Sequence, residues 1–505
     1  MKLKTKDLII FAIMVSVIFF SSCSRQKTDI QSAGPVTELR YGYNSEPATF
    51  DPLSPSNTAD GRSVLFNVFE GLVKPDTDGR LRPCIAESVI MDELGRVYDF
   101  QLRKGITFHD GSVLTSNDVK YSLDIAKAEG FIGLDAVENI KIDGDYHLRL
   151  TLLHPDPEFL PYLTVGIVKA GSTDRDKNAI GTGPYFIESY AVQRELVLRK
   201  FPDYWQANVP NLEKITIVFF ADSNALVLGL LGGSIDGAGL PGSLAQQLSP
   251  ERFDIVPGYS AMVQLLALNN AVPPYNDIRV RQAINYGLDV QGIIDVAFYG
   301  KGKPSGSPLI PGLTAYYEQS LADPYPVDHE KARSLLKDAG YGEGGQKLSL
   351  EITVASIFTM HIDTAQVIAD QLAKIGIDVS IRLVDWGAWL SDVYWERKYQ
   401  TTIISLDSPN VSPRSFLSRY RSDDAVNFIN YSSADFDRVY DSILVETSED
   451  KRISLYKEAQ RIISADAASV YIQDILGFRA FRAGIYDGVL NYPLYVVDFA
   501  SIYGK

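Results

Sequence analysis

Between residues 348 and 383 the polarity pattern leaves little freedom. Leu348, Leu350, Ile352 and Val354 alternate with Ser349, Glu351 and Thr353, the period of a strand with one buried face. Ala365, Ile368, Ala369, Leu372 and Ile375 then recur at helical spacing, with Asp363 placed to cap the helix and Gly376 to stop it. Ile377, Val379, Ile381 and Leu383 alternate again. Strand, helix, strand is a βαβ unit, which requires a parallel pair joined by a right-handed crossover. The chain therefore contains an α/β domain.

A chain of 505 residues is too long for one core and points to two or three domains. The stretch QLLALNNAVPPYNDIRVRQAINYGL marks a passage between two of them. Residues 265–268 are wholly apolar, the pattern of a strand buried on both faces. Asn269 and Asn270 end it, and Pro273-Pro274 cannot continue a ladder. Asp277 then caps a helix whose buried stripe is Val280, Ala283, Ile284, Gly287 and Leu288, and Asp289 caps a second one carrying Ile293, Ile294 and Ala297.

Elsewhere, strands are expected at residues 38–43, 98–102, 146–152, 185–188, 214–220 and 471–481, and helices at 63–69, from 116 or 117, at 226–231, 434–444 and 449–463. DTDGR at residues 76–80 is a hairpin turn. Two stretches imitate catalytic motifs. His109-Asp110-Gly111-Ser112 sets three triad residue types side by side, but triads are spatial rather than sequential, so a turn with a hydrogen-bonded histidine is expected. AIGTGP at residues 179–184 lacks the Lys-Ser/Thr of a phosphate loop and the G-x-G-x-x-G spacing; a tight turn is expected there too.

Lys2, Lys4 and Lys6 precede the apolar residues 8–20, and Ser21-Ser22 lead to Cys23. That is a signal-peptide pattern, with residues 1–22 removed and 23–36 left as a polar tether. Lys and Arg number 48 against 63 Asp and Glu, a formal net charge of −15. Such an acidic balance argues against nucleic acid and against a polybasic membrane patch. With only Cys84 besides Cys23, an acylated Cys23 leaves no intramolecular disulfide, so the fold has to rest on its apolar core.

Several segments, in order, carry a family resemblance. FEGLV…DGRL, LRKGI-x-FHDG…DV-x-YSL, GTGPY, FPDYW and LALNN-x₂-PPYND-x-RVRQAI-x₃-LD resemble the extracellular solute-binding proteins of family 5, the peptide- and nickel-binding receptors of ABC importers. The order Ser21-Ser22-Cys23 resembles a bacterial lipobox, although Phe20 stands where Leu is usual. The resemblance implies a periplasmic-binding-protein-like class II fold: two lobes joined by crossing segments, with an additional subdomain in the N-terminal lobe. The first lobe is expected at 37–73, 179–267 and 482–505, the inserted subdomain at 74–178, and the second lobe at 268–481. It further implies a monomeric receptor, exported and lipid-anchored through Cys23, that encloses a solute between its lobes and delivers it to ABC permease subunits.

On matched positions, ligand-binding candidates are Asn44 and Glu46 in the first loop, Met262 and Gln264 on the crossing strand, and Trp386 as a pocket wall. For Trp386, core packing beside Trp389 and Trp395 is the other reading. Peptide-binding members carry W-x-x-D before P-x-x-F-L, whereas here LDSPNVSPRSFL places Leu406 and Pro409 in the Trp and Asp positions. Asp407 either takes over the ion pair to a ligand ammonium or caps a loop with Ser408. Arg414, Arg419 and Arg421 either face an anionic ligand or lie in solvent.

The five histidines, at 109, 147, 154, 329 and 361, are dispersed, and no H-x-x-x-H or C-x-x-C is present, so neither a metal site nor a cofactor is expected. Capture of a peptide or a similarly sized solute is the leading reading. An opine-like, sugar or chelated-metal ligand, or a chemosensory role on the same scaffold, is the alternative. An exported hydrolase ranks last, since no G-x-S-x-G elbow occurs.

Overall fold

The computed structural model describes residues 36–407 and 412–505. Its backbone is one mixed sheet of eleven strands. Ten follow each other in the order Ile377–Val384, Leu348–Ala355, Thr401–Asp407, Phe253–Leu268, Ser469–Arg482, Gly237–Pro241, Glu38–Tyr43, Lys214–Phe219, Glu195–Lys200 and Tyr185–Ala191; the short strand Gly302–Pro304 pairs with Ser469–Arg482 off this path. The sheet has two halves because only two of its strands, Phe253–Leu268 and Ser469–Arg482, are long enough to belong to both.

The apolar run 265–268 is explained by what covers it. Val263, Leu265 and Ala267 face one core, with Trp389, Phe416, Phe436 and Tyr456. Leu266 and Leu268 face another, with Val280, Ile284, Ile293, Ile368 and Leu372. Residues 265–268 are fully buried, and each buried leucine contributes roughly 2 kcal/mol. The polar ends of the run are tied just as firmly. Asn269 Nδ2 donates to the carbonyls of Arg397 and Tyr399, and Asn270 Nδ2 to those of Leu268 and Ala468. Arg281, in the following helix Ile278–Tyr286, is buried and donates to the carbonyls of Tyr275, Asp466 and Ala467.

The expected caps at Asp277 and Asp289 form: their carboxylates accept from Arg279 N and Gly292 N. Strands Leu348–Ala355 and Ile377–Val384 pair in parallel along eight residues, as the βαβ pattern requires. One detail differs. The intervening helix is Thr359–Ala373, with Phe358 at its cap, so Asp363 lies inside it rather than at its start. The apolar stripe sets the face of a helix but not its first turn, and here the helix extends N-terminally to Thr359, over buried His361. Likewise the helix expected at 63–69 runs Ala59–Leu65, because Thr58 accepts from Gly61 N and starts it earlier.

Residues between the first strand and the GTGPY turn form a separate four-stranded antiparallel sheet, in the order Ala86–Met91, Val97–Leu102, His147–Leu152, Val137–Ile142. Helix Ser116–Ala128, begun by a capping box between Thr115 and Asp118, accompanies it. DTDGR closes the hairpin of Val73–Pro75 with Leu81–Pro83. The GTGPY turn then packs on backbone: a Cβ at Gly181 would lie 2.0 Å from the Val68 carbonyl oxygen. Gly181→Ala is therefore expected to lower stability by about 2 kcal/mol in denaturant unfolding, whereas Gly232→Ala, with open space around its Cβ, should be neutral or stabilising.

Candidate functional site

Where the two long strands cross from one half of the sheet to the other, their pairing is interrupted. Tyr259 pairs with Leu476 and Val263 with Asp474, so Ser260, Ala261 and Met262 together oppose Ile475 alone. Ala261 adopts φ 56°, the left-handed region that an alanine rarely occupies. A bulge of this kind bends the strand that carries it. It is a natural pivot between the halves.

Met262, within the bulge, is 37% exposed and pairs in register with Asp407 at the exposed end of Thr401–Asp407. The Asp407 carbonyl accepts from Arg419 Nη2 at 3.1 Å. On the other half, Asn44 is exposed at the end of Glu38–Tyr43 and donates to Ser223 Oγ at 3.0 Å. Glu46 Oε1 accepts from the Gln193 amide. Trp386 is half-buried, stacked on Trp389 with centroids 5.2 Å apart and 7° between planes, and meets the edge of Phe358 at 5.4 Å. Trp386 thus packs on the core beside Trp389, as the second expectation had it, and remains partly exposed.

Two candidates are committed to internal contacts. Gln264 is fully buried; its Nε2 donates to Thr364 Oγ1 at 3.1 Å and its Oε1 accepts from Gln473 Nε2 at 2.9 Å. Arg414 forms a two-pronged ion pair with Asp156, at 2.6 and 3.1 Å, and donates to Tyr162 Oη at 2.9 Å. Burial works against its guanidinium, but the hydrogen bonds to Asp156 and the charge of Glu158 outweigh that and raise its pKa. Arg421 is held by Asp423 and Asp441. Cys23, Ser408 and Pro409 lie outside the described residues.

Sequence reasoning did not single out the buried polar groups beside the pivot. Asp474 is fully buried, neither of its carboxylate oxygens has a hydrogen-bond partner, and burial pushes its pKa well up, against the opposing charge of Lys303. His361 shares a 3.0 Å hydrogen bond between Nε2 and Ser405 Oγ, and burial lowers its pKa to about 4. Asp60, also buried, accepts from Ser45 Oγ at 2.5 Å. Nothing in a local pattern marks these residues, because their burial comes from elements that pack over them in the fold, for Asp474 the distant strand Phe253–Leu268.

His109 is explained as a turn residue. Its Nδ1 accepts from the Gly181 amide, its Nε2 bonds the Gly183 carbonyl oxygen, and burial lowers its pKa to about 4. Ser112 donates to Asp110, which is paired with Lys169, so the three triad residue types do not converge. Among the described residues no group of three His, Cys, Asp or Glu side chains is placed to hold a metal, and no helix is long and apolar enough to cross a membrane.

The family model for bacterial extracellular solute-binding proteins, family 5 (middle region), matches residues 80–428. The chain belongs to that family. The oligopeptide-binding protein AppA of Bacillus subtilis is 27% identical, with 76% of this chain and 77% of that one covered. Heme-binding protein A of Haemophilus influenzae is 25% identical over 95% of each chain. Among solved structures, HbpA2 from Haemophilus parasuis superposes with a TM-score of 0.82 at 20% identity, covering 93% of this chain and 100% of that one. The two halves of the sheet are accordingly the two lobes of a class II solute-binding fold, and this family 5 protein is a binding protein of the kind that serves ABC importers.

The histidine beside the pivot of this receptor makes a pH prediction. Its unfolded form takes a proton as pH falls below about 6.5, whereas the folded form resists until about 4. His361 therefore costs stability progressively between those values, up to about 3 kcal/mol. Buried Glu70 and Glu158, with raised pKa values, work in the opposite sense, so the histidine has to be isolated by substitution. Urea unfolding of His361→Gln should gain about 3 kcal/mol relative to the parent between pH 7.5 and 4; an unchanged difference would refute the assignment.

Proposed function

We propose that this family 5 protein captures a peptide, or a solute of similar size, in the crevice above Ser260–Met262 and presents it to the permease of an ABC importer. The observation that carries the reading is the pivot: one continuous sheet, crossed by two strands and interrupted at Ala261, joins two bodies with separate cores. Such a joint allows hinge closure over a guest. Main-chain groups near strand ends and a half-covered Trp386 suit peptides, whose backbone is common to all sequences. Asn44, Glu46, Met262, Trp386 and Asp407 are the proposed contacts. Gln264 acts from beneath, holding the floor through Thr364 and Gln473.

The proposed division follows the crossings: a first lobe of 37–73, 179–267 and 482–505, an inserted subdomain of 74–178 and a second lobe of 268–481. Residues 1–22 act as an export signal, and Cys23, acylated, anchors a monomer at the outer side of the bacterial membrane. The assignment as a binding protein rather than an enzyme is supported by the dispersal of His109, Asp110 and Ser112 into structural roles.

A non-peptide solute is the second reading. It is favoured by Leu406, which packs against the second lobe's core where peptide-binding members carry Trp. Calorimetric titration with di- to pentapeptides, glutathione, haem and histidine-chelated nickel separates the two. Peptide binding at micromolar or better Kd is expected, weakened at least tenfold by Trp386→Ala. No heat with any peptide, alongside binding of a non-peptide, would replace the first reading with the second. Metabolic labelling with a fatty acid, lost in Cys23→Ser, tests the anchor.

A further inference from the structure

The lobes meet at a second place, far along the chain from the pivot. Arg414 lies in the short helix Pro413–Leu417 of the second lobe; Asp156, Glu158 and Tyr162 belong to the inserted subdomain. Besides its two bonds to Asp156 and one to Tyr162, the guanidinium sits 5.9 Å from the Tyr162 ring centroid, and its Nε lies 3.9 Å from Glu158 Oε2. Glu158 in turn accepts from Ser412 Oγ at 3.0 Å and from Tyr456 Oη, both on the second lobe. The side chains of Arg414, Asp156 and Glu158 are only 17, 20 and 12% exposed. On the side of Asp156, Tyr98 Oη donates to its backbone carbonyl.

A neighbouring contact extends the junction. The Ala315 amide donates to the Asp78 carbonyl at 3.2 Å. Gly79, at φ 88°, is packed so closely that a Cβ there would lie 2.5 Å from Leu313 Cδ2. Tyr316 meets the Tyr456 ring edge-on at 5.9 Å.

A body attached only through two bulged strands can bend and twist about them. A body held at a second, separate point can turn only about the line joining the two attachments unless one of them parts. The second attachment here is a nearly dry, two-pronged ion pair, and separating one partner from the other leaves an uncompensated buried charge. Five side chains from two lobes converge on it, and each of the hydrogen bonds they make fixes direction as well as distance.

We propose that the Arg414–Asp156–Glu158 cluster is a latch between the second lobe and the inserted subdomain, holding the lobes in the arrangement of this structure and restricting their motion to the axis through the latch and Ala261. The inference rests on the two-lobe division, not on the identity of the solute.

Two spin labels test it without any ligand. Val192, 69% exposed on the first lobe, and Asp370, whose side chain is 80% exposed on a second-lobe helix, are changed to cysteine for labelling; Cys84, buried and bonded to Glu70, stays unreacted. The parent should give one narrow inter-lobe distance distribution. Arg414→Ala should broaden it at least twofold and raise the radius of gyration measured by X-ray scattering. Because that variant strands two buried carboxylates, the charge-free pair Arg414→Met with Asp156→Asn is measured in parallel, and broadening is expected there at unchanged circular dichroism. A distribution as narrow as the parent's in the folded double variant would overturn the latch, whether or not any solute is ever found to bind. Failure of every solute in the titrations above would leave the distance result intact.

Discussion

Two antiparallel strands, Phe253–Leu268 and Ser469–Arg482, hold both lobes to one sheet, and most of the architecture follows from them. They pair with each other, and each takes a further neighbour at one end: Ser469–Arg482 the strand Gly237–Pro241, and Phe253–Leu268 the strand Thr401–Asp407. Hydrogen bonds across a continuous sheet are directional and resist shear, so the lobes cannot drift apart. A three-residue bulge at Ser260–Met262 relaxes that constraint locally, with Ala261 buried in the second lobe's core and Met262 reaching solvent. Rigidity on both sides of such a bulge is what the proposed hinge closure requires.

The polar groups near the pivot and at the latch obey one rule. A buried charge costs free energy unless it is paired and hydrogen-bonded, and this chain buries charge in two ways. At Arg414, five polar side chains converge and the guanidinium stays charged. At Asp474 the carboxylate has no hydrogen-bond partner and its pKa rises instead. The first arrangement resists displacement. The second lies beside Ile475, opposite the bulge.

Much of the second lobe was legible in the sequence because its signals are local. The alternation at 348–354 and 377–383, the helical stripe between them and the caps at Asp277 and Asp289 involve neighbours within a few residues, and all of them appear as strands, helices and caps. Motif segments were legible too, and the structure supplies their reasons: Asn269, Asn270 and Arg281 are spent on backbone carbonyls of distant loops. Errors fell at helix starts, at Asp363 and Ser63, where burial of one more turn outweighs the first good capping residue. For the site, pattern and resemblance named Met262, Trp386 and Asp407, which the structure leaves at least partly exposed. They could not distinguish these from Gln264, one residue pair further along and wholly enclosed, or from Arg414, whose carboxylate partner is 258 positions away.

The sequence alone determined the α/β class and the family, since periodicity, capping and motif spacing are properties of adjacent residues. Tertiary structure decided which polar residues stay exposed and which are walled in, where the sheet bends, and how Arg414 is used. Those are questions of what lies across a strand or between lobes, and burial and charge pairing depend on that spatial neighbourhood alone.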